Sequence, residues 1–242
     1  MRLRVRPLVA PKRGSTPEEY EDARWPVRSG VHRSLRCAVA DGATEASFSG
    51  LWARLLVEAF RHGRLDAALT ALPALQEQWQ AAVAGIPLPW YAEEKARLGA
   101  FSALLGVTVT GGRWDAVAVG DSCLFHIREG GLLAAFPIER AEDLAAAPHL
   151  VSSLPRHNAA LPAHLRTACG ELRDGDVLYL ATDAMAGWLL RRLADGACHN
   201  ELAALRPAGF PAWLDAQRDA GTIRNDDTTL IRIDAVADTA RL

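Results

Sequence analysis

The stretch RCAVADGATEAS, residues 36–47, decides how the rest of the chain is interpreted. It begins as an apolar run of strand length and stops at the pair Asp41-Gly42. Asp-Gly is a favoured hairpin dipeptide, but the residues that follow, SFSGLWARLLVEAF (47–60), have the apolar spacing of a helix. The pattern therefore predicts that Asp41 lies where a strand ends and a helix follows, so its carboxylate is available for chemistry.

The amino-acid composition does not indicate a particular function. The chain has 242 residues, of which 50% are hydrophobic and 23% are charged, and its net charge is −2. These values are typical of a soluble globular protein, and they favour neither nucleic acid nor an anionic membrane as a partner. No apolar run is long enough to span a bilayer, and the basic N-terminus lacks the apolar core of a signal peptide.

Cysteine spacing points to a reducing compartment. The four cysteines form no C-x-x-C pair, so neither a zinc site nor a disulfide framework is indicated. We expect four buried thiols in a cytoplasmic protein. They are Cys37, Cys123, Cys169 and Cys198.

Periodicity along the chain predicts an α+β fold. Helices come in blocks and strands cluster in the middle and at both ends, which argues against regular β-α-β alternation. We expect one domain, residues 1–242, in which helices cover antiparallel sheets, with an irregular surface excursion at 139–165. The predicted strands are 2–6, 35–40, 101–110, 113–120, 122–130 and 132–138 (these last four as a meander), the turn and strand 172–182, and 226–236; the predicted helices are 48–59, 65–84 with a break at Pro73, 183–194, and one or two more before Gly221.

Four carboxylates adjoin predicted strands. Asp41, Asp121 and Asp183 each follow an apolar run, and Asp226 precedes the last one. Each has a plain structural explanation by itself: a turn at Asp41, a hairpin at Asp121, a helix cap at Asp183 and an Asx-turn at Asp226. Strands of stacked sheets end at a common edge, however, so the four side chains are able to converge. Converging carboxylates repel one another, and either raised pKa values or bound cations relieve that repulsion. Oxygen-only clusters suit Mg²⁺ or Mn²⁺.

The order and wording of five segments resemble the metal-dependent Ser/Thr protein phosphatases, the type 2C or PPM family, in its bacterial branch. The family shows an early Glu-Asp, a DG after a strand, a GDS, a TDG that enters a helix, and a DN-x-T or DD-x-T that opens the last strand. The matching segments are YEDA (20–23), VADGA (39–43), VGDSC (119–123), LYLATDAM (178–185) and NDDTTLIRI (225–233).

The resemblance implies a fold, a cofactor and an activity. The fold is an α-β-β-α sandwich of two antiparallel sheets flanked by helices. The cofactor is a pair of Mn²⁺ or Mg²⁺ ions that activate a shared water to attack phosphoserine or phosphothreonine in a protein substrate. Such a phosphatase would oppose a Ser/Thr kinase and would need no nucleic acid or membrane.

The resemblance also implies roles for individual residues. Asp41 would bridge two ions, Asp183 and Asp226 would complete the first site, and these three carry catalysis. The second ion would take Glu21 and the Gly42 carbonyl, with Asp22 nearby through water, and Asp121 matches the residue that holds a third, weaker ion in bacterial members. The nearest candidates for the family's phosphate-binding arginine are Lys12 and Arg13.

The match departs from the family at three places. Many members have a histidine, the proposed general acid, where this chain has Ala43. Ala184 replaces the glycine of TDG, and the segment 139–165, at the position of the bacterial flap, has its own composition with three histidines that we expect to be exposed. These departures leave a second hypothesis open: a catalytically weak or inactive relative that binds a protein or phosphopeptide. Hydrolysis of a small phosphate ester is a third, minor hypothesis.

Overall fold

Two antiparallel sheets, stacked face to face, form the centre of the fold. The structure is a computed structural model that describes residues 1–43, 48–66, 68–87, 96–145, 147–194 and 199–238. The strands are β1 (Arg2–Ala10), β2 (Ala23–Trp25), β3 (Gly30–His32), β4 (Leu35–Gly42), β5 (Phe101–Thr110), β6 (Arg113–Val119), β7 (Cys123–Arg128), β8 (Gly131–Phe136), β9 (Val151–Ser152), β10 (Arg166–Glu171), β11 (Val177–Ala181) and β12 (Thr228–Val236). One sheet, the β12 sheet, has the order β3-β1-β12-β11-β7-β8; the other, the β5 sheet, has the order β10-β6-β5-β4-β2, with β9 paired to β5.

Helices cover the outer face of each sheet. Within the described residues they are α1 (Ser49–Arg61), α2 (Leu72–Ala84), α3 (Leu161–His164), α4 (Asp183–Ala194), α5 (His199–Ala204) and α6 (Phe210–Asp219). Helices α1 and α2 pack on the β5 sheet through a cluster that includes Trp52 and Leu56, and α4 to α6 pack on the β12 sheet around Trp188 and Phe210. The predicted α-β-β-α sandwich is therefore confirmed.

The strand patterns follow from which faces are covered. In β1, Leu3 and Val5 are buried between the sheets while Arg2 and Arg4 face solvent, as the alternation predicts. Strand β5 is apolar on both faces because Leu105 packs against the other sheet and Leu104 packs against the helices. Burial on both faces is why the central strands appear in the sequence as continuous apolar runs.

The predicted four-stranded meander is wrong in one respect, because its strands are divided between the sheets. β5 pairs with β6 in one sheet, and β7 pairs with β8 in the other. The chain crosses over at Gly120-Asp121-Ser122, where Gly120 has φ +97° and a Cβ would approach that of Ala103 to 2.6 Å. Glycine is therefore required at the crossover, and Asp121 lies in the connection from one sheet to the other rather than in a hairpin.

Three further predictions need correction. The helix expected over 65–84 begins at Leu72, because Pro73 suits the first turn and starts the helix instead of breaking it. Strand β10 has no counterpart in the prediction, because it is a largely exposed edge strand without a strong apolar alternation. Segment 139–165 contains the short α3, but it is not purely a surface excursion, since β9 pairs with β5 and buries Val151.

The cysteines are only partly as expected. Cys37 and Cys123 are buried in the sheets, whereas Cys169 is exposed on the edge strand β10. Cys198 lies outside the described residues. Across the described ranges, no helix combines the length and apolar character needed to cross a bilayer.

Candidate metal centre

Strand register brings the predicted acidic residues to one end of the sandwich. In the β12 sheet, Ala181 of β11 lies opposite Cys123 of β7. Asp183 lies two residues after Ala181, and Asp121 lies two residues before Cys123. Both aspartates therefore lie just beyond the same end of these two strands. Asp226 precedes β12 at that end, because the same Ala181 also pairs with Leu230.

Asp41, at the end of β4, is surrounded by these carboxylates. Burial raises the pKa of Asp41 well above its ordinary value, and the charges of Asp22, Asp183, Asp121 and Asp226 raise it further. Repulsion of this kind requires the five groups to lie close together. The structure thus brings together five of the acidic residues that the sequence singled out, from both sheets.

Asp22 lies deepest in the cluster. It is 4% exposed, and its Oδ2 atom accepts hydrogen bonds from the hydroxyls of Thr229 at 2.8 Å and Thr182 at 3.0 Å. Its Oδ1 atom is buried and has no hydrogen-bond partner. Burial raises the pKa of Asp22 to about 8 against the opposing effect of these hydroxyls, and Asp227 and Asp183 contribute to the rise.

A guanidinium lies among the carboxylates. Arg224 pairs with Oδ2 of Asp183 and, at 3.1 Å, with Oδ2 of Asp226. Burial lowers the pKa of Arg224, but Asp183, Asp226 and Asp41 outweigh that effect and raise it overall. Burial and Asp183 raise the pKa of Asp121 to about 6, and Arg224 opposes this rise.

Glu21 lines an adjoining cleft of about 430 Å³, together with Lys12, Arg54 and Ser49. The Ser49 hydroxyl donates to Glu21 Oε1 at 2.5 Å. Gly42 allows this approach, because a Cβ there would meet the Glu21 carbonyl oxygen at 2.8 Å. The residues predicted to serve a second ion are therefore neighbours, at the junction of β4 and α1.

The two predicted phosphate-binding residues diverge. Lys12 lines the same cleft as Glu21. Arg13 faces α6, where its guanidinium pairs with Asp219 at 2.8 Å and Asp215 at 3.4 Å. The structure does not place the Arg13 side chain with the carboxylates, because these two acidic residues already engage it.

The flap-like segment borders the cluster on the Asp121 side. The rings of His149 and His164 stack with centroids 4.1 Å apart, and both residues line a cavity of about 180 Å³ with Asp121 and Asp143. His164 is exposed as expected, but His149 is half-buried. The segment therefore presents imidazoles next to the acidic cluster.

The donor atoms suit a hard divalent cation. Every acidic donor in the cluster is a carboxylate oxygen, and two of them, Oδ1 of Asp22 and Oδ1 of Asp183, are buried without a partner. In the described part of the chain, no three acidic, histidine or cysteine side chains are arranged as a metal-binding group as they stand. Arg224 pairs with two of the carboxylates that would have to turn toward a common ion.

The architecture is a β-sandwich flanked by helices, with an acidic cluster at one end of both sheets. The family model described as protein phosphatase 2C matches residues 20–216. The chain belongs to this protein phosphatase 2C family.

Solved structures agree with the fold. The catalytic domain of the serine/threonine phosphatase PstP, solved with two manganese ions, is 17% identical with a TM-score of 0.64, covering 97% of this chain and 100% of its own. PppA of Pseudomonas aeruginosa, a regulatory component of its T6SS, is 17% identical with a TM-score of 0.54, covering 96% and 97%. The S. agalactiae serine/threonine phosphatase is 13% identical with a TM-score of 0.61, covering 97% and 100%. No curated protein matches the sequence.

Sequence reasoning missed Arg224 and Asp227. Asp227 accepts the backbone N–H groups of Lys12 at 2.8 Å and Glu21 at 2.7 Å, which fixes the loop that carries Glu21 and Asp22. The doubled aspartate of NDDTT was the available signal, because two adjacent acidic residues before a strand point to different sides of the chain. Nothing local distinguished Arg224 from any exposed arginine in a turn.

Proposed function

We propose that this protein is a metal-dependent phosphatase that hydrolyses phosphoserine or phosphothreonine in a protein substrate. The observation that carries the proposal is the gathering of Asp41, Asp183, Asp226, Asp121 and Asp22 at one end of both sheets in a protein phosphatase 2C chain. Five carboxylates in one partly buried place are costly for folding alone. Their presence together favours a function that uses them.

The proposed roles follow the resemblance where the structure supports them. Asp41 would bridge two ions, Mn²⁺ or Mg²⁺, and Asp183 and Asp226 would hold the first; Glu21 and the Gly42 carbonyl would hold the second. Ions bound there would lower the pKa of a water and neutralise charge that develops on the phosphoryl group. The structure of PstP, which contains two manganese ions, supports a count of two ions.

Other side chains of the cluster would act around these. Asp22 would accept a hydrogen bond from a water of the second ion, using the Oδ1 atom that has no partner in the structure. Asp121 would hold a third, weaker ion. Lys12 would bind the phosphoryl group from the wall of the 430 Å³ cleft, whereas we assign no such role to Arg13 because of its pairing with α6.

A second candidate function is a weakly active or inactive relative that binds a protein or phosphopeptide. Ala43 favours it, because its methyl side chain cannot protonate the leaving alkoxide of a phosphoserine. Catalysis without an acid would still proceed on substrates with good leaving groups. Comparing p-nitrophenyl phosphate with a phosphoserine peptide therefore distinguishes full from impaired activity.

The test uses the full chain with Mn²⁺. We expect hydrolysis of p-nitrophenyl phosphate and of phosphoserine and phosphothreonine peptides, and we expect Asp41→Asn to reduce it to background. Asp115→Asn is the matched control, because Asp115 lies on β6 with a side chain that is 61% exposed and paired with Arg113. Tight calorimetric binding of Mn²⁺ without turnover would favour the binding module; equal loss of activity in both variants would contradict the assigned site.

A further inference from the structure

Arg224 is the strongest departure from a simple metal centre. It pairs with Asp183 and Asp226, two of the three residues proposed to hold the first ion, and its charge also acts on Asp41. Arg224 takes Oδ2 of both carboxylates, so a divalent ion that draws on these oxygens meets a positive charge already paired with them. The two cations therefore compete for these oxygens.

The position of Arg224 also allows it to leave. Its side chain is 60% exposed, and Asp183 and Asp226 are its partners in the two ion pairs that hold it at the cluster. Its planar fork of N–H donors matches two oxygens of a phosphate as well as it matches a carboxylate. Released from the carboxylates, it would remain at the mouth of the cluster, on the exposed side.

We propose that Arg224 is the internal counter-ion of the first metal site and, once divalent ions replace it there, a residue that positions the phosphoryl group in addition to Lys12. This inference rests on the proposed phosphatase function and deepens it. It assigns to residue 224 a positioning role that the sequence pattern left to the N-terminal Lys12 and Arg13. The arginine and the metal would exchange partners, so metal binding would make the guanidinium available to substrate.

Two consequences are measurable without turnover. Removing the guanidinium removes a competitor, so Arg224→Gln should bind Mn²⁺ about fivefold tighter than the wild type, the scale of an exposed ion pair. The same variant, loaded with Mn²⁺, should bind inorganic phosphate about fivefold more weakly. Arg224→Lys keeps the positive charge but lacks the planar guanidinium, so its affinities for Mn²⁺ and for phosphate should both lie between those of the wild type and Arg224→Gln.

The experiment is calorimetric titration of the full chain, first with Mn²⁺ and then, on the Mn²⁺-loaded protein, with inorganic phosphate. Arg2→Gln is the matched control, because it also removes an arginine from an ion pair with an aspartate, Asp238. That pair lies at the end of β1 away from the acidic cluster. Arg2→Gln should change neither affinity. Thermal melting in chelator confirms that each variant is folded before titration.

The outcomes separate this inference from the proposed function. If Arg224→Gln and wild type bind Mn²⁺ equally, Arg224 is not a counter-ion and the inference fails while the phosphatase proposal stands. If Mn²⁺ binds tighter but phosphate affinity is unchanged, the phosphoryl role is overturned. If wild-type protein binds no Mn²⁺, both the proposed function and this inference fail.

Discussion

Replacing Asp22 by asparagine should stabilise the folded protein at neutral pH when divalent ions are chelated. Asp22 is buried, one of its oxygens has no partner, and burial raises its pKa to about 8. In the unfolded chain an aspartate has a pKa of about 3.9. The folded state therefore holds a proton that the unfolded state has released, across a pH range of about 4 to 8.

The sign and size of the effect follow from this difference. Because the folded state binds the extra proton, stability falls as pH rises, by about 1.4 kcal/mol per pH unit for one group. From pH 4 to pH 7 this amounts to about 4 kcal/mol. Asparagine cannot ionise, and its oxygen still accepts from the hydroxyls of Thr229 and Thr182. An unpaired buried amide costs about 2 kcal/mol, so we expect a net gain of about 2 kcal/mol at pH 7.

The assay is urea unfolding of wild type and Asp22→Asn in chelator at pH 5, 6 and 7. The stability difference between the two proteins should grow with pH, in favour of the variant. Asp115→Asn, at an exposed position, should give no pH-dependent difference. A variant that is less stable than wild type at pH 7, by the same amount at every pH, would refute the reasoning about burial.

Three further predictions concern the core and the metal. The Asp176 side chain is 2% exposed and pairs with Arg128 and His126. Burial raises the pKa of Asp176, but these partners outweigh burial and lower the pKa well below its ordinary value. Asp176→Asn should therefore lower the free energy of unfolding by about 3 kcal/mol at pH 7, and by less below about pH 4, where the wild type loses the contribution of the ionised carboxylate. Urea unfolding checks this, and a loss that does not shrink in acid would contradict it. Gly106→Ala should cost about 1–3 kcal/mol, because its Cβ would lie 2.3 Å from the Phe60 ring, and Phe60→Leu should recover part of the loss. Mn²⁺ at about 100 times its Kd should add about 2.7 kcal/mol, a rise in Tm of about 5–10 °C, and no rise would contradict metal binding.

Local patterns predicted most of the long elements but not their pairing. The alternation of Arg2, Leu3 and Arg4 predicts β1, and the run TTLIRI predicts β12, because each pattern reports which faces are buried. The same patterns do not specify partners, so β5 to β8 were expected in one sheet. The division falls at Gly120, which has a positive φ and which the sequence marks only as one glycine among several.

The candidate site also contains residues that the sequence predicted and residues that it did not. Carboxylates at strand ends follow from the chain itself, so Asp41, Asp183 and Asp226 were predictable, and the structure brings them together. Arg224 was not, because its pairing with Asp183 depends on how the turn before β12 meets the start of α4, 41 residues away in sequence. Contacts between elements that are distant along the chain produce no periodic pattern in the sequence.

The adjacent pair Asp226-Asp227 shows how one short motif serves both the site and the fold. Asp226 faces Arg224 and the cluster, whereas Asp227 turns the other way and accepts the backbone N–H groups of Lys12 and Glu21. The second carboxylate thus fixes the loop that presents Glu21 and Asp22 against the strand that presents the first. Repulsion within the cluster pushes these two segments apart, and the hydrogen bonds of Asp227 oppose that push from just outside it. Losing Asp227 would therefore separate the acidic residues of the loop from those of β12, even though Asp227 itself has no place among the proposed metal ligands.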